Sequence, residues 1–337
     1  MRFPVIAAAA LLLGMAVPGS AQSLENMKQL THGGQNAKAY WSPDGTQIIF
    51  QSTRDGNKCD QIYLMDADGS NVRLVSTGKG VATSGFFLAD GEHIIYSSTH
   101  EAGEACPARP ERGKGYVWPM YRGYDIYLAK TDGEIIKKLT DADGYDAAAT
   151  VNWATGRVVY TSMASGDLDL WSMNLEGRNK TRLTTAEGYD GGAFFSRDGS
   201  RLVWCAYHPL NPKDMSKYRE LLGQYLTSPM KMEIYESDQY GTSVRRITNY
   251  GCASLAPQFT PDGRNVVFSS NLNNCDSREF ELFIVTADGS GMEQLTRAYG
   301  FTSFPDFSPD GKKVLFTSTE DAKEKYESNI FVADWVE

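Results

Sequence analysis

The sequence predicts an all-β protein, a six-bladed β-propeller with one short helical insertion, and three observations support this. A hairpin phrase recurs along the chain, as in FSPDGKKVLFTS at residues 307–318. Its turn glycines follow each other at steps of about 46, 65, 43, 64 and 48 residues, in or just above the range of propeller repeats. The predicted strands fill six blades only if both ends of the chain share one blade. The turn glycines are Gly45, Gly91, Gly156, Gly199, Gly263 and Gly311.

Each repeat predicts four strands in a fixed order. The first follows a loop of small residues, as in GYDGGAFFS. An Asp-Gly turn comes next, where glycine adopts the left-handed conformation that other residues resist. The second strand is rich in β-branched and aromatic residues, as in QIIFQS, and the third resembles QIYLMDADG. A short fourth strand such as VRLVS completes the unit.

The closure of the ring follows from the strand count. Six third strands are present, but only five fourth strands follow them, because the chain stops at NIFVADWVE. The phrase MKQLT at residues 27–31 has the pattern of a fourth strand with nothing before it. Pairing residues 28–31 with residues 329–335 closes the ring and protects two strand edges.

The first 21 residues have the pattern of a secretory signal peptide. Arg2 supplies a basic start, residues 5–17 form a short apolar run, and Gly19, Ser20 and Ala21 form a small-residue cleavage site. We therefore expect cleavage after Ala21, a propeller over residues 22–337, and a periplasmic or secreted protein. No other apolar run is long enough to cross a bilayer. The net charge of −9, without any run of five basic residues, argues against a nucleic-acid partner.

The recurring phrases resemble the TolB-like propeller repeat of bacterial envelope proteins, whose unit carries the pattern SPDG…I-F-S…IY-M-ADGS…LT. The resemblance covers essentially the whole chain after residue 21 and is weakest in the third unit, where VNWATGRVVY lacks Ser-Pro-Asp. It implies the propeller fold and an envelope location, but propellers host many functions. TolB itself has an N-terminal α/β domain before its propeller, and we expect this chain to lack one.

Two insertions lengthen the loops between second and third strands, so both are expected on one face. The first, at about residues 99–123, is rich in Pro, Gly and aromatic residues and predicts an ordered, non-helical loop. Its Tyr116, Trp118 and Tyr121 either anchor a partner or cover the tops of the blades.

The second insertion, at about residues 208–232, contains KDMSKYRELLGQYL, which predicts a helix capped by Asp214 or Ser216. Its apolar stripe predicts packing onto the propeller rim, and the alternative is a docking surface for another protein. The stripe consists of Met215, Tyr218, Leu222 and Tyr225.

The five cysteines suggest two disulfides. Cys59 and Cys106 lie in corresponding loops of adjacent units, and Cys252 and Cys275 lie in two same-face loops of the fifth unit. We predict the bridges Cys59–Cys106 and Cys252–Cys275, with Cys205 as a buried free thiol.

Known catalytic and cofactor motifs are mostly missing from the sequence. It contains no G-x-S-x-G, no P-loop and no dinucleotide fingerprint. HEAGE at residues 100–104 approaches the zinc motif H-E-x-x-H but has Glu104 in place of the second His. The DADGS phrases resemble the start of a calcium loop, yet they lie where a hairpin turns. We therefore predict no catalytic residues, no cofactor and no bound metal.

One constellation nevertheless suggests a site near the mouth of the central channel. Two equivalent loops carry a Tyr-Asp pair, and a histidine begins each insertion on that face. Such groups bind a metal, a sugar or a peptide terminus; alternatively, the Asp side chains cap their own loops and the histidines pack under the insertions. Together with two insertion aromatics, the candidate binding residues are Tyr145, Asp146, Tyr189, Asp190, His100, His208, Trp118 and Tyr121.

Two functions are compatible with the sequence. The first is a monomeric, non-catalytic binding scaffold, periplasmic or secreted, that engages a protein or envelope-associated ligand through the face carrying the insertions. The alternative is an enzyme, a lyase or hydrolase, that acts on carbohydrate or peptide in the propeller funnel. The missing catalytic motifs favour the scaffold.

Overall fold

A computed structural model describes residues 22–110, 116–229, 231–298 and 300–336. It confirms a six-bladed β-propeller of four-stranded antiparallel sheets with one helix. The predicted signal peptide, residues 1–21, lies outside the described residues. No helix in the described part of the chain has the length and apolar character needed to span a membrane.

The first strand of the described residues, β1 (Ser23–Gln29), belongs to the last blade. Blade 1 contains β2 (Asn36–Trp41), β3 (Gln47–Ser52), β4 (Gln61–Asp66) and β5 (Arg73–Leu74). Blade 2 contains β6 (Ala82–Phe87), β7 (His93–Ser98), β9 (Asp125–Lys130) and β10 (Ile135–Lys138), with the short β8 (Trp118–Pro119) in the loop between β7 and β9. Blade 3 contains β11 (Asp146–Val151), β12 (Val158–Ser162), β13 (Asp169–Met173) and β14 (Thr181–Arg182).

The second half of the chain repeats this order. Blade 4 contains β15 (Tyr189–Phe195), β16 (Arg201–Tyr207), β18 (Glu233–Asp238) and β19 (Arg245–Arg246), with α1 (Pro212–Leu222) and β17 (Leu226–Thr227) between β16 and β18. Blade 5 contains β20 (Ser254–Phe259), β21 (Asn265–Ser270), β22 (Glu281–Thr286) and β23 (Glu293–Gln294). Blade 6 contains β24 (Thr302–Phe307), β25 (Lys313–Ser318) and β26 (Asn329–Val336), completed by β1.

The closure of the ring occurs as predicted, in blade 6. β1 pairs antiparallel with β26, with Gln29 opposite Phe331 and Lys28 opposite Val332. The backbone N–H of Leu30 also donates to the carbonyl oxygen of Ile330 at 2.8 Å. The first strand starts at Ser23, earlier than the MKQLT phrase indicates, after a register shift within the strand. The edge of β26 is therefore covered along most of its length.

The recurring hairpin phrase is explained by the turn that it forms. All six turn glycines have φ between 69° and 76°, the left-handed region that favours glycine. In the turn of blade 1, the Ser42 hydroxyl donates to Asp44 Oδ1 at 2.6 Å, and Asp44 accepts a second hydrogen bond from the N–H of Thr46. These hydrogen bonds lower the pKa of Asp44. The Ser-Pro-Asp-Gly signature is thus a local turn motif.

The core lies between neighbouring blades. One cluster joins blade 1 to blade 6 across the closure and includes the fully buried Ile48, Phe50, Leu315 and Ile330. Burial of each such side chain stabilises the fold by roughly 1.5–3 kcal/mol. The second and third strands supply these residues, which is why their phrases are rich in Ile, Val, Phe and Tyr.

Both predicted disulfides are present. Cys59 and Cys106 have Cα atoms 5.9 Å apart, and Cys252 and Cys275 have Cα atoms 4.8 Å apart. Cys205 is a free, buried thiol, as predicted. The Cys59–Cys106 bridge fixes the first insertion to the neighbouring blade.

The helix of the second insertion has a different cap from the one predicted. Asn211, in an extended conformation, accepts a hydrogen bond from the N–H of Asp214 at 2.9 Å, and Pro212 occupies the first turn. The prediction of Asp214 or Ser216 as the cap is wrong because the helix begins earlier, at a proline suited to its first position. The apolar stripe packs as predicted: Tyr218 is buried, and its other members contact the main core cluster.

Candidate functional site

Two cavities occupy the central channel of the propeller. We name the first the insertion-side cavity: it has a volume of about 580 Å³ and is lined by inner-strand residues of all six blades together with residues 116 and 118–120 of the first insertion. We name the second the hairpin-side cavity: it has a volume of about 390 Å³ and is lined by residues of the hairpin turns, among them Pro43, Arg197, Pro261 and Pro309. Both volumes fall in the range of small-molecule sites.

Six side chains, one from the same position of each inner strand, form a ring that separates the two cavities. Thr150 and Phe194 line both of them. The ring of Phe194 lies 5.5 Å from that of Tyr40 and 6.4 Å from that of Phe86, and the last two rings lie 5.6 Å apart. These aromatic contacts fill one side of the channel at this level. The six equivalent positions are Tyr40, Phe86, Thr150, Phe194, Gln258 and Asp306.

Every inner strand has a bulge just before this ring. The register shifts in all six blades, and the residue two positions before the ring has φ between 49° and 64°. Five of the six residues are not glycine, so the fold maintains a costly backbone conformation at the wall of the insertion-side cavity. These residues are Lys38, Ser84, Ala148, Gly192, Ala256 and Phe304. All six line the insertion-side cavity.

The polar part of the insertion-side cavity is centred on Lys38. Its ammonium donates to the Ser84 hydroxyl at 3.1 Å and to the Thr83 hydroxyl at 3.3 Å. The Thr83 hydroxyl donates in turn to Gln51 Oε1 at 2.6 Å, and Gln51 Nε2 donates to Asp60 Oδ2 at 2.8 Å. The network therefore fixes the orientation of each group around the lysine.

Burial acts on both charged groups of this network. Burial lowers the pKa of Lys38, although the negative charge of Asp60 partly opposes the change. Burial also raises the pKa of Asp60, against the effect of the positive charges of Lys38 and Arg109. Each side chain is thus less readily charged here than in water.

Much of the remaining wall of the cavity is aromatic. Trp118 and Tyr189 have ring centroids 6.2 Å apart, and Phe301 and Phe304 have theirs 6.1 Å apart. Tyr145 lines the same wall. Burial raises the pKa of Tyr145 and Tyr189, so both phenols are neutral and can donate a hydrogen bond.

The two insertions meet above this cavity. β8 and β17 form a two-stranded sheet, and the N–H of Met120 donates to the carbonyl oxygen of Tyr225 at 2.7 Å. The guanidinium of Arg278, from the loop between β21 and β22, lies 4.7 Å from the centre of the Tyr116 ring. The first insertion therefore contacts both the insertion of blade 4 and a loop of blade 5. The sequence did not indicate this sheet.

Three of the eight predicted site residues line the insertion-side cavity: Tyr145, Tyr189 and Trp118. The other five do not line it. Adjacent residues on a strand point to opposite faces, so Tyr145 and Tyr189 face the channel while the Asp that follows each of them does not. The predicted cluster of carboxylates and imidazoles around the funnel is therefore not assembled there.

Asp190 and His208 form a buried pair within blade 4. Asp190 accepts hydrogen bonds from Trp204 Nε1 at 2.7 Å and from His208 Nε2 at 3.0 Å. Burial lowers the pKa of His208, but the hydrogen bond and the charge of Asp190, with smaller contributions from two other carboxylates, raise it above its usual value. The pair thus holds the start of the second insertion against blade 4.

The remaining three predicted residues have separate surroundings. Asp146 is buried, its Oδ1 has no hydrogen-bond partner, and burial raises its pKa to about 6. The His100 ring lies 4.4 Å from the Tyr127 ring, and burial lowers the pKa of His100. Tyr121 packs beside Tyr124, with ring centroids 6.2 Å apart. A role of these residues in binding stays a prediction.

Lys38 was not among the predicted site residues, although the sequence contains a signal for it. The equivalent positions of the other five repeats contain Ser, Ala, Gly, Ala and Phe, so a charged residue appears at this position only in the first repeat. Alignment of the inner strands on their bulges would have revealed it. Within residues 22–110, 116–229, 231–298 and 300–336, no three His, Cys, Asp or Glu side chains are arranged to hold a metal ion.

Comparison with known proteins supports the fold. No family model matches the chain. A protein TolB homolog from Chlorobaculum tepidum is 28% identical over 123 residues, which cover 30% of this chain and 28% of that protein. The chain therefore matches under a third of the length of this curated relative.

Solved structures match over most of the chain. A putative TolB from Agrobacterium tumefaciens has a TM-score of 0.61 at 18% identity, and the match covers 94% of this chain and 99% of that one. An oligogalacturonate lyase in complex with manganese has a TM-score of 0.53 at 17% identity, with coverage of 94% and 98%. The chain thus has the fold of the TolB-like six-bladed β-propellers, as the repeated phrases predicted.

Proposed function

We propose that the protein is a monomeric, non-catalytic binding scaffold, periplasmic or secreted, that engages a protein or a cell-envelope ligand through the face carrying the two insertions. One observation carries this proposal: the two insertions fold together into a single ordered surface. We name this surface the insertion platform and define it by residues 116–123 and 208–229.

The insertion platform has the rigidity that a docking surface requires. Its two parts share the β8–β17 sheet, and the guanidinium of Arg122 lies 5.3 Å from the centre of the Tyr225 ring. The hydroxyl of Tyr218 donates to the carbonyl oxygen of Gly188 at 2.7 Å, which attaches the helix to the propeller. A pre-ordered surface loses little conformational entropy when it binds a partner.

The insertion platform also presents an apolar side chain without a contact that would explain it. Leu210, just before the helix, is 92% exposed. The other exposed large apolar residues lie mostly on turns and outer strands. A fully exposed leucine at the start of a fixed helix is suited to insertion into a pocket of a partner. We therefore place the centre of the proposed docking surface at Leu210.

The proposed location rests on three supports. Two disulfides are typical of an oxidising compartment, the fold is similar to that of TolB, and the first 21 residues have the pattern of a signal peptide. The acidic net charge of −9 favours a protein or envelope ligand over nucleic acid.

The test is recovery of a partner from an envelope extract by immobilised protein. We expect that Leu210→Asp abolishes recovery of a species captured by the unchanged protein. Val244→Asp is the matched control, because Val244 is an exposed apolar residue in the turn between β18 and β19, outside the insertion platform. If both variants capture the same species as the unchanged protein, the insertion platform is not the docking surface.

The alternative function, an enzyme acting on carbohydrate or peptide in the funnel, has no specific observation in its favour. The described structure does not bring Asp146, Asp190, His100 and His208 together in the channel. Similarity to an oligogalacturonate lyase at 17% identity concerns the fold alone. Turnover of a polyuronide or peptide that is lost in Asp190→Ala would revive this alternative.

A further inference from the structure

Lys38 is a partly buried charged group whose surroundings differ from those of two fully buried carboxylates. The buried Asp169 pairs with Arg182 at 2.8 Å, and the buried Asp190 pairs with His208 at 3.0 Å. Lys38 forms no ion pair with any residue that the structure describes, although it lines a cavity where burial disfavours its charge. A charge removed from water without a direct partner is costly.

The hydrogen bonds of Lys38 leave capacity for a ligand. An ammonium has three N–H donors, and the described partners, Thr83 and Ser84, account for two. The Thr83 hydroxyl donates to Gln51, whereas the Ser84 hydroxyl accepts from Lys38 and lies 3.4 Å from the Thr83 oxygen, a long contact for its own proton. One N–H of Lys38 is therefore available to an acceptor group, and the Ser84 O–H can rotate from its long contact with Thr83 to the same group.

Asp60 does not fulfil the role of partner. Its carboxylate accepts from Gln51, and it influences Lys38 only through longer-range charge. It does limit the charge that the cavity accepts, since a second negative group near Asp60 would be repelled. The positive charges of Lys38 and Arg109 exceed the negative charge of Asp60 by one, which a singly charged anion matches, whereas a doubly charged phosphate leaves an excess negative charge in a partly desolvated site.

The aromatic wall defines the rest of the ligand. Trp118, Tyr145, Tyr189 and Phe304 offer ring surfaces and two phenolic donors. The Lys38 ammonium lies 5.7 Å from the centre of the Phe304 ring, so the charged and aromatic parts of the site are contiguous. A cavity of about 580 Å³ accommodates a ligand the size of a small metabolite.

We propose that the insertion-side cavity binds a small monocarboxylic acid with a flat, apolar body, whose carboxylate accepts hydrogen bonds from Lys38 and Ser84 while its body packs on Trp118 and Tyr189. The Lys38 ammonium and the Ser84 hydroxyl lie 3.1 Å apart at the cavity wall, so one carboxylate can reach both. This site lies beneath the insertion platform and does not depend on the docking proposed for that surface.

The experiment is calorimetric titration of the full chain with matched probes. Indole-3-acetic acid and phenylacetic acid supply the carboxylate, and indole-3-acetamide and phenylacetamide are their neutral counterparts. We expect at least one acid to bind about tenfold to a hundredfold more tightly than its amide, the range for hydrogen bonds to a charged group. Equal affinity for acid and amide, or no binding of either acid, overturns the proposal.

Three variants test whether Lys38 and Ser84 cause the preference for the acid over the amide. Lys38→Met keeps a long, unbranched side chain without the charge, and it should abolish the preference for the acid over the amide while leaving amide binding within about twofold. Ser84→Ala should reduce acid affinity by a smaller factor. Lys213→Met is the control, because Lys213 is an exposed residue of α1 outside the cavity.

A thermal melt of each variant shows that it is folded before titration. If Lys38→Met retains the full preference for the acid, the proposal is wrong. Loss of partner capture in Leu210→Asp with unchanged acid binding would leave this site intact. The two proposals therefore succeed or fail separately.

Discussion

The two ends of the channel share their inner strands but differ in chemistry. The hairpin-side cavity is built from the repeat itself, and its rim consists of similar turns. A Cβ placed on Gly311 would lie 3.0 Å from Pro261 Cβ, so the turn of one blade packs closely on the next. The insertion-side cavity is built from departures from the repeat: the two insertions and the single lysine, Lys38. In this propeller the repeated residues maintain the ring, and the exceptions form the candidate site.

Each end also contains an ionisable group whose charged form is disfavoured by burial. On the insertion side it is Lys38, and on the hairpin side it is Asp306, which accepts hydrogen bonds from the N–H of Trp41 at 2.9 Å and from Gln258 Nε2 at 3.3 Å. Burial raises the pKa of Asp306 to about 8, although the Trp41 hydrogen bond opposes this. The carboxyl group is therefore largely protonated at neutral pH.

The largest expected effect concerns the Cys59–Cys106 bridge, which supports the insertion side. The bridge spans 47 positions, and in the chain-entropy model its removal costs about 4 kcal/mol. We expect the double variant Cys59→Ala, Cys106→Ala to lower the free energy of unfolding by that order, measured by guanidinium denaturation. Acid binding should weaken as well, since the bridge fixes the loop that covers the cavity.

The double variant Cys252→Ala, Cys275→Ala is the matched control. Its loop spans 23 positions, so the same model gives a smaller loss of about 3 kcal/mol. The loop that carries Cys275 contacts the first insertion only through Arg278 and Tyr116 among the described contacts and does not line the cavity, so acid affinity should fall less than in the first double variant. Equal loss of acid affinity in both double variants would contradict a special role of the first bridge at the insertion side.

The second effect concerns the pH dependence created by Asp306 on the hairpin side. Its folded pKa of about 8 lies above the unfolded value of about 3.9, so the folded state binds more protons between these values. Stability should therefore fall as the pH rises from about 4 to about 8. At about 1.4 kcal/mol per pKa unit the loss should reach a few kcal/mol.

Asp306→Asn should remove most of this pH dependence, because an amide retains an acceptor for Trp41 and carries no charge. Urea denaturation at pH 5, 7 and 9 measures it. Asp310→Asn is the control. Hydrogen bonds from Ser308 and from the backbone of the turn lower the pKa of Asp310, so its contribution to the stability of the fold is lost at acid pH instead. Parallel pH profiles for the Asp306→Asn variant and the unchanged protein would refute the assignment.

The smallest expected effect concerns the serine hydroxyls of the hairpin turns, which should contribute equally in different blades. Ser42→Ala removes one hydroxyl that bonds to Asp44 and to the N–H of Gln47. We expect a loss of about 1 kcal/mol in the free energy of unfolding and no change in acid binding. Ser308→Ala, the same change in blade 6, should behave alike. A much larger effect at one of the two turns would show that the hairpin side is less uniform than its repeats.

The fold was predictable because it follows from repeated local signals. The Asp-Gly turns, the strand phrases and the unpaired MKQLT segment led to the six blades and their closure, and the loop register led to both disulfides. The packing face of α1 was also predictable from helical spacing. Its cap was not, because Asn211 and Pro212 precede the apolar stripe on which the prediction was based.

The candidate site was less predictable, for a physical reason. Whether a strand residue faces the channel depends on alternation, and the bulge in each inner strand changes that alternation. Tyr145 and Tyr189 were identified, but the aspartates beside them point elsewhere. Lys38 was not predicted, because it faces the channel only through the left-handed backbone at the bulge, which simple strand alternation does not indicate. The contact between the two insertions involves distant segments and leaves no local pattern.

The pairing of β1 with β26 has a consequence for the order of events in biosynthesis. The Ile330 N–H donates to the Thr31 hydroxyl, a contact between positions 299 residues apart in the chain. Strand β1 must therefore wait for β26, and five blades can assemble before the sixth is complete. A truncated product leaves an exposed sheet edge, which proteases and chaperones recognise as unfinished.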